Sequence, residues 1–171
     1  MTKQLITSIC ILGLVGMVVG VGVKGANEAT VAATVTVQNI SVTISAGTPV
    51  AYGTMANNTS KTTIDVGVTP TAKNNGNVTE TFNIKGTNST SWTLGAVAGS
   101  NVYVHKFCKK YEVSCTTPPT NYTALTTGYT ALATGVAINA EKTLDLQITT
   151  PNPSTAYDAQ QVDVIVQAVA P

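Results

Sequence analysis

The chain has no arginine, one histidine and one tryptophan, and only 10% of its 171 residues are charged. Each shortage excludes something. Without arginine there is no planar fork for bidentate capture of phosphate or carboxylate. Setting aside Lys3 and Lys24 leaves seven lysines against eight acids, so the cationic surplus on which nucleic-acid binding depends is missing. The single histidine, His105, alternates with Tyr103 and Phe107 in YVHKF, the position of a strand residue, and the many hydroxyls have no other histidine to activate them. No Gly-x-Ser-x-Gly elbow, phosphate loop or HExxH occurs. The chain therefore reads as non-enzymatic, with no catalytic residues and no cofactor. Asp65, Asp145 and Asp163 stand singly inside alternating segments, each expected on the wet face of a strand. His105, Cys108 and Cys115 offer three metal ligands where structural zinc takes four, so no metal is expected either.

The long hydrophobic run is confined to residues 5–23, behind Lys3 and ahead of the small residues around Gly25. Residues 1–25 read as a signal peptide cut before Ala26, or as a membrane anchor if retained, since nineteen residues just span a bilayer. Export places the chain outside the cell, on its surface, with the leader as the one element that meets a membrane. Cys10 falls in the leader, which leaves Cys108 and Cys115, seven residues apart, as a disulfide pair. Six Asn-x-Ser/Thr acceptors, at Asn39, Asn57, Asn58, Asn77, Asn88 and Asn121, suit an exposed surface.

What remains is rich in Thr, Asn, Ser, Gly and Val. The repeat NYTALTTGYTALATG carries Tyr122, Leu125, Tyr129, Leu132 and Val136 at the three-and-four spacing of a helical heptad. Helix is nevertheless the costly choice: two glycines and five threonines together disfavour it by about 5 kcal/mol relative to alanine. The stretch holds no charged residue that could compensate through pairs four apart. Thr and Tyr favour strands, so it reads as two short strands joined near Gly128, with Leu132, Thr134, Val136 and Ile138 in one row.

Alternation places further strands at 50–55, 63–68, 78–84, 91–94, 102–107, 143–149 and 162–169, separated by turn clusters such as ANNTS, KNNGN and TPNPSTAYD. The fold class is all-β: an immunoglobulin-like or jelly-roll sandwich of about eight to ten antiparallel strands, forming one domain over residues 26–171.

The opening of that domain carries the functional reading. In TVAATVTVQNISVTIS, Val31, Ala33, Val35 and Val37 alternate on odd positions and Ile40, Val42 and Ile44 on even ones. The switch predicts a bulge or change of sheet at Gln38-Asn39. Residues 30–37 either pair in their own sandwich as its first strand or are donated to the open edge of a neighbour.

ATVTVQNISVTISAGTPVAYGTM, with its Tyr52-Gly53-Thr54 turn, resembles the opening of secreted pilin-type and camelysin-type fibre sandwiches. NNGNVTETFNIKGTNSTSWTLG is similar to cell-wall WxL domains, with Trp92-Thr93-Leu94 as the Trp-x-Leu. The first resemblance implies a homopolymer built by strand exchange. The alternative is a monomeric module that contacts cell-wall polysaccharide or another glycan. Such a module would use Trp92 or the patch Lys106, Lys109, Lys110 and Tyr111 in HKFCKKYEVSC.

Overall fold

The computed structural model describes residues 28–116 and 120–171. The chain divides into two units, Met1–Thr36 and Val37–Pro171. The leader expected at residues 1–25 lies outside the described residues. Among the described residues no helix is long and apolar enough to cross a membrane. Residues 28–36 are exposed and belong to no strand.

The second unit is all-β, with eleven strands arranged as a sandwich. They are β1 (Val42–Ala46), β2 (Ser60–Thr62), β3 (Thr71–Asn74), β4 (Glu80–Gly86), β5 (Thr93–Leu94), β6 (Val102–Cys108), β7 (Thr123–Ala124), β8 (Thr130–Val136), β9 (Glu141–Thr143), β10 (Asp145–Thr149) and β11 (Val164–Val169). They form three sheets, ordered β1-β3-β9, β11-β4-β8 and β2-β10-β6-β5, with β7 also paired to β6. All ladders between named strands are antiparallel except β5 with β6.

Period-2 alternation decides which face is wet. In β4, Glu80, Phe82, Ile84 and Gly86 are buried while Thr81, Asn83 and Lys85 are half-buried. The core draws on all three sheets: Ala72 of β3, Phe82 and Ile84 of β4, Leu132 and Val136 of β8, Phe107 of β6, and Leu146 of β10 with Leu144 just before it.

The heptad-like repeat is indeed two short strands with a bend at Thr127-Gly128, and they serve different sheets, β7 pairing with β6 and β8 with β4. The single apolar row expected along β8 is broken. Glu80 pairs with Val136 but Phe82 pairs with Ala133, so β8 holds an extra residue there, and Gly135 sits at φ 62°. A second shift follows, since Asn83 pairs with Ala131 and Leu132 is extra, so Leu132 and Ala133 are both buried while Thr134 and Ile138 are exposed.

Other expectations fail for local reasons. Residues 50–55 form no strand; they follow Pro49 and contain Gly53, whose φ is 73°. Residues 63–67 turn because the Asp65 carboxylate accepts the Thr62 N–H (2.7 Å) and hydroxyl (2.8 Å). Those bonds hold the Asp65 carboxyl below its ordinary pKa. Asp163 is exposed as expected, but Asp145 is fully buried, because the segment after β6 covers its face of β10.

Phe82 is fully buried at the centre of this core. Phe82→Ala is expected to lower the unfolding free energy by about 3–5 kcal/mol, measured by urea denaturation of the purified protein.

Candidate functional site

Two strands that lie near each other in the sandwich each have one ladder neighbour. Among the described residues β11 pairs only with β4, and β1 pairs only with β3. Between them runs an open groove of about 940 Å³, lined by Ile44 of β1, Val164 and Val166 of β11, and Leu146 and Ile148 of β10. The apolar row of β11 (Val164, Val166, Ala168) packs on the core but is only half-buried. Ile44 remains 40% exposed. Free edges and half-covered core residues on the same groove are an association hazard unless something fills them.

An aromatic file borders this groove. Tyr52 and His105 meet edge to face at 6.1 Å, His105 and Tyr103 lie 6.3 Å apart, and Tyr103 and Trp92 lie 6.1 Å apart. The Trp92 indole N–H donates to Ser154 Oγ at 3.0 Å, so its polar edge is engaged inside the fold. Tyr52 Oη lies 3.3 Å from His105 Nε2, while His105 Nδ1 has no partner among the described residues. Burial lowers the His105 pKa to about 4 and pushes the Tyr52 hydroxyl well above its ordinary range. The imidazole is thus a neutral member of a buried wall, as its place in an alternating strand suggested.

The lysine-rich segment is organised inward. Cys108 and Cys115 form a disulfide with Cα atoms 6.1 Å apart. Such a bond is compatible with an extracellular protein. Within its loop Lys110 Nζ sits 3.6 Å from the buried Asp145 carboxylate, whose other oxygen accepts from Thr63 Oγ1 at 2.9 Å. The Tyr111 hydroxyl donates to Leu132 O at 2.6 Å, and Lys142 lies over its ring. Lys109 pairs with Glu112 at 3.7 Å, and Lys106 is half-buried on β6. The four side chains therefore do not converge on one external patch.

The expected donor residues Val31, Val35 and Val37 are 90%, 91% and 80% exposed, and Ala33 is exposed with them. No bulge occurs at Gln38-Asn39. The register shift of β1 falls at Ile44/Ala46, and upstream of Val42 the pairing with the β3 side continues in step. Asn75 N–H donates to Ser41 O at 2.8 Å and Asn77 N–H to Asn39 O at 3.1 Å. Where the partner strand turns away, the Asn77 side chain replaces it: Oδ1 accepts from Asn39 N–H at 2.7 Å and Nδ2 donates to Val37 O at 2.9 Å. The buried Glu80 accepts the Ser41 N–H at 2.7 Å. Sequence reasoning placed Asn77 among the glycan acceptors and in the KNNGN turn cluster, with no part in strand pairing.

No protein-family model and no curated protein matches this chain.

Burial of His105 makes stability depend on pH. The unfolded imidazole titrates near 6.5 and the folded one near 4, so between these values the unfolded chain takes up a proton that the folded chain refuses. Stability is full above pH 6.5 and should fall by about 3 kcal/mol as the pH drops to 4. Denaturant titrations over that range should show this decline in the wild type and a flat His105 contribution in His105→Gln.

Proposed function

We propose that this protein is an exported, non-catalytic subunit of a surface filament, in which residues 30–37 of one copy add a strand to the groove of the next. The observation that carries the reading is the groove itself, where two strands with one neighbour each leave Val164 and Val166 half-buried and Ile44 exposed. The arm has the complementary character. It is extended in pattern, apolar on alternate residues and exposed.

Its phase supports donation. The pairing of β1 runs without a bulge back to Asn39, and Ile40, Val42 and Ile44 share one row there. In a continued extended chain Val31, Ala33, Val35 and Val37 occupy the opposite row. Their apolar face is therefore out of step with the row of Ile40, Val42 and Ile44, of which Val42 packs on the core.

The dimensions agree. Eight extended residues reach about 26 Å, enough to run the length of a six-residue strand such as β11. Burying each valine contributes about 1.5–3 kcal/mol before the entropy of association is subtracted, and main-chain bonds to a free edge add to it. A head-to-tail contact whose rotation does not close a ring gives a fibre. The disulfide is compatible with assembly outside the cell, and the leader supports export.

Negative-stain microscopy and detergent gels of the processed protein test the reading. Wild type should give fibres and a ladder that survives detergent. Deletion of residues 26–37 should give folded monomers, and Val35→Asp, which puts a charge into an apolar seat at a cost of several kcal/mol, should do the same. Unchanged fibres from either variant would overturn the assignment of the arm.

A further inference from the structure

Any chain whose arm adjoins its own vacant edge has an alternative to joining a neighbour. Residues 30–37 could reverse at 38–41 and lie along β1 of the same molecule. Tethering favours this closure, because the effective concentration of a linked segment exceeds that of a free partner. Something must act against it if copies are to link.

Resting on the strand-exchange reading, we propose that Asn77 is the residue that forbids this reversal, and so selects linkage between copies over closure of one. The reversal needs a turn within residues 38–41. In the structure those residues are instead held straight by five hydrogen bonds: Asn75 N–H to Ser41 O, Asn77 N–H to Asn39 O, Asn39 N–H to Asn77 Oδ1, Asn77 Nδ2 to Val37 O, and Ser41 N–H to Glu80 Oε1. Three of the five involve Asn77. Its side-chain amide is a peptide group in miniature, with one acceptor and one donor set as a strand backbone sets them. It therefore extends the ladder by two residues beyond the point where its own backbone leaves.

The neighbours are shaped around this clamp. A Cβ at Gly76 would collide with Asn39 O and with Glu80 Oε1, so the chain can approach this closely only with glycine there. Glu80 is fully buried, and its one bonded oxygen points at the segment being held. Aspartate at 77 would keep the acceptor but lose the donor, and alanine would lose both.

The test compares wild type, Asn77→Asp and Asn77→Ala as full processed chains, by light scattering after chromatography, with circular dichroism to confirm the fold. A synthetic peptide of residues 28–39 serves as probe of the groove. In the variants the folded monomer fraction should rise by about tenfold, the change that loss of one to two hydrogen bonds carries. Those monomers should bind no peptide, because their own arm fills the groove, whereas the peptide should shorten wild-type polymers. Variants that polymerise like wild type overturn the proposal. Should both variants fail to fold, hydrogen exchange on wild type decides: an Asn39 amide protected like those of β1 supports the clamp, and one exchanging like Val35 sinks it. A wild-type chain that forms no polymer and takes up no peptide, whatever stands at 77, marks instead the failure of the strand-exchange reading, and this proposal falls with it.

Discussion

Burial of the β4 and β10 rows against each other is the constraint on which the rest depends. Phe82 and Ile84 come from one sheet and Leu146, with Leu144 just before it, from another, and the third sheet, β1-β3-β9, adds Ala72 to the same core. A charge-poor chain has little else to hold it. Among the described residues the ion pairs are Lys109 with Glu112 and Lys110 with Asp145, and the first is a surface pair of small worth. Cohesion comes from apolar burial, from ladders, and from hydroxyls and amides that fill gaps in those ladders.

That last device recurs. Asn77 completes a ladder where its strand departs, Asp65 closes a turn through Thr62, Asn74 Nδ2 bridges Val78 O (2.8 Å) and Val136 O (2.9 Å), and Thr63 shields Asp145. Short polar side chains act here as portable pieces of backbone. The abundance of Thr and Asn is thus structural as well as superficial.

Legibility followed the same division. β4 and β11 could be read directly, because in each an alternating row meets the core, and β6 was placed to within a residue although both its faces are covered. β3 escaped notice because Thr71-Ala72-Lys73-Asn74 shows one apolar residue, although Thr71, Ala72 and Asn74 are all buried. Asp145 was misplaced because alternation fixes which face of β10 it occupies but not what covers that face, and the cover is a loop that folds back from Cys108. The arm's odd phase was visible in sequence, yet its apparent cause, a bulge, was not the real one. The strand continues unbent, held by a side-chain contact that no periodicity reports. The groove was invisible for a similar reason, since it arises from strand order, which hydrophobic pattern does not encode.

The near-absence of charge has a further consequence. With a formal net charge of +1 spread over 171 residues, two copies of this molecule neither repel nor steer each other at a distance, and dissolved ions have little to screen. Encounters are left to shape and to contact at van der Waals range. Contact between copies should therefore depend little on whether the medium is brine or fresh water.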